Sequence, residues 1–437
     1  MALTVLLTGI VIARGDRVGV RIVTIFPACG ATAVSSRADI QLTFDQDMDR
    51  ASVESRLTLS PPVKGSFKWM ERKLVFKPIH ALTYKTEYTI TLCRGAKSRL
   101  GKEMLRKFVC HFITRQARIV YLAERGDAVQ LCTIGSDGLE QTSLTTGINV
   151  RDYAISPDGR QIAYCVEKEN GTINLWLMDS DGRNKVVLVE EDARCTDPAW
   201  SPDGRRLAYE RQPIEPGLPC IWLIDVTSKE TMPLFSDSSE GKTFGRTPRW
   251  SPAGRKLAFF DMVEGNIAVY DFESKEIMLI ANKWGGVGVW SPDGTRLAYI
   301  RFFLQRCGFV GNLTVYSLTE GNTMDLGRGA NFDDSSHVWS PGGEWIALSR
   351  RKLSGEGWTP GHQLWLVRSD GSEAFPLTHD RESEHGAVVW SPDGKTLAFT
   401  RFSRAQDEAS YEIWLVGVDG SNLHCLAEGG FWPAWLP

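Results

Sequence analysis

The stretch Trp200-Ser201-Pro202-Asp203-Gly204 decides the fold of this chain, because close copies of it recur along the last two thirds of the sequence. Identical copies begin at Trp290 and Trp390, and variants begin at Ile155, Trp250 and Trp339. The copies lie 40 to 51 residues apart, which is the spacing of propeller blades or solenoid units. Each copy predicts a tight turn, since proline fixes φ early in the turn and glycine tolerates positive φ at its end.

Three short apolar segments recur between successive copies of this turn. They are typified by Leu207-Ala208-Tyr209, by Leu175-Trp176-Leu177 and by the region around Leu234, and each type occurs seven times. Their β-branched and aromatic residues predict strands rather than helices. Because both faces of these strands are apolar, each sheet must be covered on both sides, as in radially packed propeller blades.

The two ends of the repeat region indicate how the array closes. Residues 118–146 supply three strands without a leading tryptophan strand, while residues 431–437 resemble residues 197–202. We therefore predict that the C-terminal strand completes the first blade, which hides the edges that an open array exposes. The predicted fold class is all-β, with a seven-bladed β-propeller over residues 117–437 closed by its C-terminal strand.

The repeat pattern resembles a known family. Trp-Ser-Pro-Asp-Gly, followed by segments such as Ile162-Ala163-Tyr164 and Leu175-Trp176-Leu177-Met178-Asp179, is similar to the WD40-like repeats of TolB-type propellers over residues 118–437. The resemblance implies the fold but no particular ligand, because the family is functionally diverse. The motif is altered at Ile155, Ala253, Gly342-Gly343 and Leu436, which weakens single turns without changing the count.

Residues 22–116 lack this repeat and form a second predicted domain. Short alternating segments such as Ile40-Gln41-Leu42-Thr43-Phe44 and Leu74-Val75-Phe76 predict a small β-sandwich. The region resembles bacterial Ig-like domains of S-layer and other cell-surface proteins. Its acidic residues 45–49 lack EF-hand spacing, and an acidic turn between strands requires no calcium.

The leading segment, residues 1–21, begins with thirteen apolar, uncharged residues. This run is too short to span a bilayer, and it lacks the basic start of a signal peptide. It is either a signal or anchor remnant, with possible membrane attachment, or a first strand. We favour export, because both resemblances are typical of extracytoplasmic proteins, whether periplasmic, secreted or anchored at the cell surface.

Cysteine content and charge limit the remaining function classes. Nine cysteines occur without Cys-x-x-Cys spacing, which argues against a zinc site. Cys93 and Cys110 lie in the last two predicted strands of the sandwich and form a disulfide if the protein is exported; separate thiols are the alternative. A net charge of −3 gives no nucleic-acid footprint. We expect a monomer without a metal or cofactor.

Long predicted loops leave one side of the propeller, and binding usually resides in such loops on a rigid scaffold. Arginines follow the same strand in four blades, with aromatic residues beside them. The predicted ligand-binding residues are Arg211, Arg301, Phe302, Arg350, Arg351, Trp358, Arg401 and Phe402, with Phe303 adjacent. Guanidinium groups beside aromatic rings suit a carboxylate-bearing or carbohydrate ligand or an acidic protein segment. Alternatively, each arginine pairs with a nearby acid such as Asp333, Asp334, Glu382 or Glu384.

The search for a catalytic constellation leaves one candidate. No Gly-x-Ser-x-Gly elbow is present. His337, His379 and His385 occupy predicted long-loop positions and, with Asp333, could form an acid/base or metal site near the pore. The first functional hypothesis is therefore a non-enzymatic binding or scaffold protein that recognises a protein or glycan in the cell envelope, with the Ig-like domain as stalk. The alternative is a lyase-like or hydrolase-like propeller enzyme.

Overall fold

The structure is a computed structural model that describes residues 19–437 except 80, 236–243, 284, 306–307, 328–330, 356–357 and 404–409. The chain divides into two compact units, residues 1–116 and 117–437. Most of the predicted leading segment lies outside the described residues. Within the described ranges, no helix has the length and apolar character needed to cross a membrane.

The first unit is a two-sheet β-sandwich with one short helix. Its elements are β1 (Ile22–Phe26), β2 (Ile40–Phe44), α1 (Arg50–Glu54), β3 (Leu57–Ser60), β4 (Gly65–Met70), β5 (Lys73–Pro78), β6 (Glu87–Leu92) and β7 (Phe108–Ile113). One sheet has the order β1-β2-β5-β4 and the other β3-β6-β7. Alternate residues of β2, namely Ile40, Leu42 and Phe44, are buried in the core, as period-2 patterning requires.

The acidic turn before α1 is bonded to protein groups. Asp45 accepts a hydrogen bond from the Arg21 backbone N–H at 3.0 Å, and Asp47 pairs with Arg72 at 3.0 Å. Asp49 caps α1 by accepting from the Ser52 backbone N–H at 3.2 Å. These carboxylates therefore have structural roles in the turn.

The predicted Cys93–Cys110 disulfide is wrong. Cys110 of β7 is bonded to Cys29, which follows β1, and Cys93 is an exposed free thiol. In the β6–β7 ladder Cys110 lies opposite Ile90, so Cys93 is displaced by three positions, or about 10 Å along the strand, which is beyond disulfide reach. The segment after β1 instead runs beside β7, where the Gly30 N–H donates to the His111 carbonyl at 2.7 Å.

The second unit consists of strands in its described part, arranged in successive four-stranded sheets. Sheet 1 contains β8 (Arg118–Arg125), β9 (Ala128–Gly135), β10 (Thr142–Ser143) and the C-terminal β35 (Gly430–Leu436). Sheet 2 contains β11 (Asn149–Ile155), β12 (Gln161–Glu167), β13 (Ile173–Asp179) and β14 (Val186–Val189). Sheet 3 contains β15 (Ala193–Trp200), β16 (Arg206–Pro213), β17 (Cys220–Asp225) and β18 (Thr231–Pro233). A single parallel pair, Ile173 with Arg194, joins sheets 2 and 3.

The remaining sheets repeat this order. Sheet 4 contains β19 (Gly245–Trp250), β20 (Lys256–Asp261), β21 (Asn266–Asp271) and β22 (Ile277–Ala281). Sheet 5 contains β23 (Val289–Trp290), β24 (Arg296–Gln305), β25 (Gly308–Ser317) and β26 (Thr323–Asp325). Sheet 6 contains β27 (Phe332–Trp339), β28 (Trp345–Lys352), β29 (Gln363–Arg368) and β30 (Ala374–Pro376). Sheet 7 contains β31 (Ser383–Trp390), β32 (Thr396–Ser403), β33 (Tyr411–Gly417) and β34 (His424–Glu428).

The repeated tryptophan joins each sheet to the preceding one. The indole N–H of Trp200 donates to the Ala154 carbonyl at 3.0 Å, and that of Trp250 donates to the Ala199 carbonyl at 3.1 Å. Trp290, Trp339 and Trp390 make the equivalent bonds to Arg249, Val289 and Val338. The tryptophan of the motif is therefore an inter-sheet link, with its ring in the apolar layer between sheets.

The rest of the motif stabilises the turn itself. The Ser201 hydroxyl donates to the Asp203 carboxylate at 2.6 Å and accepts from the Arg206 N–H at 2.9 Å. Gly204 has a φ of 71°, which a side chain would disfavour. The same serine–aspartate bond recurs at Ser291 and Ser391.

The C-terminal β35 pairs antiparallel with β8. The register runs from Gly430 opposite Ala123 to Leu436 opposite Arg118. β35 also contacts β31, β32 and β33 of sheet 7. The last strand of the chain therefore belongs to the same sheet as the first strands of the unit.

Candidate binding face

Two kinds of connection leave the sheets on the same side: the loops between second and third strands, and the links from one sheet to the next. Since adjacent strands are antiparallel, this side lies opposite the Pro-Asp-Gly turns. We call it the long-loop face. It includes residues 214–219, 262–265, 353–355 and 358–362, and the adjoining ends of β24 and β25.

A repeated β-bulge shapes the first strands of the sheets. Asp197, Thr247, Ala387 and Trp432 each lie three residues before the inter-sheet tryptophan, and each has positive φ, between 46° and 56°. The pairing register shifts at these points. Bulges re-aim side chains next to functional sites. First strands of successive sheets contact one another, so the bulged strands of neighbouring sheets lie side by side.

Three carboxyl groups gather at the bulges of sheets 2 to 4. Glu210 of β16 hydrogen-bonds the Asp197 side chain and accepts from the Thr247 backbone N–H. Burial and the negative charge of Asp197 raise the pKa of Glu210 to about 7. Burial and the same charge also raise the pKa of Asp152 of β11 to about 7.

Two arginines partly balance this carboxyl cluster. Arg249 lowers the pKa of Asp152, and Arg246 lowers that of Glu210, but neither compensates for burial. The sequence analysis missed the cluster. Its available signal was that Asp197-Pro198-Ala199-Trp200 recurs as Thr247-Pro248-Arg249-Trp250 and Trp432-Pro433-Ala434-Trp435, which marks one structural position. In the described ranges, no group of three or more His, Cys, Asp or Glu residues has metal-site geometry.

Three of the predicted arginines share one structural arrangement. Arg211 pairs with Glu191 at 2.5 Å and lies 5.0 Å from the Trp222 ring. Arg401 pairs with Asp380 at 2.6 Å and lies 4.8 Å from the Trp414 ring. The register of the second and third strands explains this arrangement. In each sheet one residue of the second strand lies opposite the third-strand tryptophan, and the arginine comes two residues after it.

Arg350 is the third member of this set and the most deeply placed. Its Nε and Nη2 atoms donate to Asp334 at 2.5 and 2.8 Å, and its Nη2 also donates to the Leu326 carbonyl at 2.9 Å. Its guanidinium stacks 4.7 Å from the Phe332 ring and is fully buried. The expectation that Arg350 faces a ligand is therefore corrected, because no ligand on the surface can reach it. Arg211, Arg350 and Arg401 therefore form ion pairs with acidic residues of the chain, which is the alternative that the sequence left open.

Arg301 departs from this arrangement. It is exposed, lies 5.2 Å from the Phe303 ring, and has no carboxylate within salt-bridge distance in the described part of the chain. Its sheet also lacks the tryptophan, because Tyr299 faces Thr314. Arg301 is thus the member of the set whose charge remains open to solvent.

The other predicted site residues differ in their exposure and contacts. Phe302 and Phe402 are half-buried: Phe302 packs between sheets 5 and 6, and Phe402 packs on Tyr411 with ring centroids 5.6 Å apart. Arg351 pairs with Asp333 at 2.8 Å. Trp358 is 49% exposed on the loop between β28 and β29.

The long-loop face exposes further apolar side chains that the sequence analysis did not single out. Leu304 is 77% and Phe309 54% exposed near the tip of the β24–β25 hairpin. Both strands of this hairpin have ten residues, whereas the second and third strands of the other sheets have six to eight. Trp432, at the bulge of β35, is 52% exposed.

The three candidate histidines do not converge. His337 is half-buried, its Nε2 lies 2.9 Å from the Ala298 carbonyl, and desolvation lowers its pKa. His385 is buried against Thr378, with Nδ1 2.8 Å from the hydroxyl, and burial lowers its pKa to about 4. His379 is exposed. His337 and His385 therefore have structural partners in different sheets.

A different histidine, His362, has the strongest electrostatic contacts. Its Nδ1 lies 2.5 Å from Glu384, and its Nε2 lies 3.6 Å from Asp333. Burial alone would lower the pKa of His362, but the two carboxylates outweigh it and raise the pKa to about 9. The sequence offered no local signal for this contact, because His362 and its partners lie 22 or more residues apart.

Comparison with known families agrees with both units. Residues 161–287 match the model described as TolB beta propeller domain, and residues 16–114 match the model described as bacterial Ig-like domain. The chain carries a TolB-type propeller region and a bacterial Ig-like domain. Its similarity to S-layer domains in particular stays a prediction.

Curated relatives match the chain in part. An uncharacterized peptidase, YuxL, of Bacillus subtilis is 28% identical over 247 residues, covering 54% of this chain and 32% of the relative. The Tol-Pal system protein TolB of Anaeromyxobacter dehalogenans is 29% identical over 153 residues, covering 34% of this chain and 33% of the relative. The chain spans about a third to a half of the length of the first curated relatives that it matches.

Solved structures show the fold alone. An oligogalacturonate lyase from Vibrio parahaemolyticus superposes with a TM-score of 0.53 at 14% identity, covering 72% of this chain and 85% of that chain. A prolyl endopeptidase structure gives a TM-score of 0.54 at 14% identity, covering 74% of this chain and 49% of that chain. The same all-β architecture thus occurs in proteins named as a lyase and as a peptidase.

Proposed function

We propose that this protein is a non-enzymatic extracytoplasmic binding protein whose long-loop face recognises a protein partner, with the Ig-like unit as stalk or spacer. The observation that carries the proposal is the exposure of large apolar side chains on this face, namely Leu304, Phe309 and Trp358. Apolar residues grouped on one face of a soluble domain mark interaction sites. Aromatic anchors are enriched in protein–protein interfaces.

A protein partner fits this surface better than a glycan does. Leu304 is aliphatic, and Phe303 already stacks with Arg301, whereas sugar recognition requires polar groups that converge around a flat ring. Three of the arginines that could supply such polar groups are engaged by Glu191, Asp334 and Asp380. Of the four equivalent arginines, Arg301 is the exposed one, and it lies beside the exposed ring of Phe303.

The proposal includes a closed ring of seven blades. It is supported by the seven strand groups in the described part of the unit and by the pairing of β35 with β8. It is also supported by the contacts between first strands of successive sheets, from β11 to β35. A closed ring would hold all the long loops rigidly on one face.

An extracytoplasmic location is supported by the Cys29–Cys110 disulfide of the Ig-like unit, since disulfides persist in oxidising compartments. The match of residues 16–114 to a bacterial Ig-like domain adds to this support.

The test is retention of an envelope protein by the immobilised full chain. We expect an envelope extract of the source organism to contain a protein that the wild type retains and that a Leu304→Ser/Trp358→Ser variant loses. The purified protein should then bind the wild-type chain directly. The matched control is Leu139→Ser, which changes a leucine that is 64% exposed on the opposite, tight-turn side. Equal retention by both variants, or no retained protein, would reject the proposal.

One observation favours an enzyme as the second candidate function. Asp152 and Glu210 both interact with Asp197, and burial raises the pKa of each to about 7, as general acids and bases require. Hydrolysis or elimination assays on peptide and acidic polysaccharide panels test this candidate. Activity that Glu210→Gln abolishes while folding is retained would support it, and inactivity on every substrate class would count against it.

A further inference from the structure

The repeated arginine position provides an internal comparison between sheets. In sheets 3, 6 and 7 the arginine stacks on a third-strand tryptophan and pairs with a carboxylate of its own chain. Each of these guanidinium groups is therefore neutralised and held in place. The arrangement fastens the second strand to the preceding inter-sheet link or to the first strand.

Sheet 5 keeps the arginine but lacks both partners. Arg301 faces no carboxylate in the described residues, and Thr314 occupies the position that a tryptophan holds in the other three sheets. Its guanidinium instead lies over Phe303, which is 37% exposed. A structural role like that of Arg211, Arg350 or Arg401 therefore does not account for Arg301.

We propose that Arg301 binds a carboxylate of the protein partner, so that an acidic segment of that partner docks along the β24–β25 hairpin. This inference rests on the proposed function and specifies the chemistry of the partner. The partner carboxylate occupies the place that Glu191, Asp334 and Asp380 occupy for the equivalent arginines.

The surroundings of Arg301 define the rest of the motif. The guanidinium carbon lies 5.2 Å from the centre of the Phe303 ring, and because Arg301 is exposed, its N–H groups are accessible to an incoming acceptor. Leu304 and Phe309 are cross-strand neighbours on the opposite face of the hairpin, so Phe303, which is 37% exposed, is the apolar contact beside Arg301. The segment that fits therefore has an Asp or Glu close to a large apolar residue.

The experiment is selection of a random peptide library displayed on phage against the immobilised full chain. Peptides recovered by the wild type should be enriched in Asp or Glu next to apolar residues. Synthetic copies should bind Arg301→Ala about tenfold more weakly, which corresponds to losing one hydrogen bond to a charged group. Their binding should also weaken as salt is raised.

Two further variants make the result specific. Arg205→Ala removes an equally solvated arginine from a Pro-Asp-Gly turn on the opposite side and should leave the affinity unchanged. Arg301→Glu should reverse the selection, so that recovered peptides are enriched in Lys or Arg. An absence of acidic enrichment, an absence of any selected peptide, or equal affinities of wild type and Arg301→Ala would overturn the inference.

The two proposals can fail separately. One outcome is that peptides bind the wild type and Arg301→Ala equally but bind Leu304→Ser more weakly. This result would support the binding face and reject the acidic partner. Peptide binding that no substitution on the long-loop face changes would reject both proposals.

Discussion

Arg350 and Asp334 form a bidentate ion pair with both side chains fully buried, with Nε–Oδ1 and Nη2–Oδ2 distances of 2.5 and 2.8 Å. The pair joins β28 to β27, and the Asp334 carboxylate also accepts the Leu313 backbone N–H at 2.8 Å across to sheet 5. Removing the arginine leaves a buried carboxylate without its counter-charge. We therefore expect Arg350→Ala to lower the free energy of unfolding by about 3–5 kcal/mol, measured by urea denaturation.

Arg211→Ala is the matched control for Arg350→Ala. It removes the equivalent arginine, but its pair with Glu191 is about 30% exposed on each side, so solvent screens it. We expect a loss of about 1 kcal/mol or less. Equal losses for the two variants would contradict the structural distinction between them.

The repeat made these arginines visible in the sequence but did not separate their roles. Equivalent positions in four blades could be read from periodicity, and the alternative that acids neutralise them was correct for Arg211, Arg350 and Arg401. The sequence did not reveal the register between the second and third strands, which determines whether a tryptophan lies beside each arginine. The replacement of that tryptophan by Thr314 distinguishes Arg301, and it becomes meaningful only with the pairing known.

The pH dependence of stability tests the His362 cluster. The pKa of His362 is raised to about 9 by Asp333 and Glu384, above the ordinary value of 6.5. Its charged form therefore stabilises the fold fully below pH 6.5, and this stabilisation is lost as the pH rises through 9. We expect the free energy of unfolding of His362→Gln at pH 6 to be about 2 kcal/mol below that of the wild type, and this difference to shrink by pH 10. Urea denaturation at the two pH values provides the measurement.

The control for this titration is His424→Gln, an exposed histidine whose Nδ1 lies 2.7 Å from the Asn422 carbonyl. It should change stability little at either pH. A His362→Gln deficit that stays constant from pH 6 to pH 10 would show that packing rather than charge explains it.

The carboxyl cluster predicts a change in the same direction, but in a lower pH range. The pKa of Glu210 is raised from 4.5 to about 7, so the folded state holds its proton more tightly than the unfolded state. The contribution of Glu210 to stability should then fall as the pH rises from about 4.5 to 7. Glu210→Gln has no proton to lose, and it should gain about 2 kcal/mol relative to wild type between pH 4 and pH 8. Thermal melts across this range provide the measurement.

Glu264→Gln is the control for charge alone, because it removes an exposed carboxylate from the turn between β20 and β21. Its stability relative to wild type should stay flat with pH. A flat profile for Glu210→Gln as well would mean that the pKa of Glu210 is not raised in the folded protein.

The carboxyl cluster also shows where sequence reasoning ends. Turns, tryptophans and strand types followed from local chemistry, so the propeller region and the sandwich were accessible. Asp152, Asp197 and Glu210 belong to two sheets and come together through a bulge. A bulge breaks the period-2 pattern at one residue, and positive φ at Asp197 or Trp432 has no signature in residue type, since neither is glycine. The same limit explains why Cys29 was not recognised as the partner of Cys110.

Closure of the ring by β35 can be tested with one glycine. A Cβ at Gly430 would lie 2.7 Å from a Tyr121 ring carbon and 3.0 Å from Ile413, so a side chain there forces β35 away from β8. We expect Gly430→Val to lower the melting temperature of the whole propeller region by several degrees, because one sheet loses its fourth strand. Gly386→Ala is the control, since a Cβ there meets no atom within 4 Å. If Gly430→Val and Gly386→Ala have the same melting temperature, and hydrogen exchange shows the β8 amides unprotected in both variants, β35 does not close the ring. Loss of protection in β8 for Gly430→Val alone is the result that a closed ring requires, because β35 is the strand paired with that edge of β8 in the described residues.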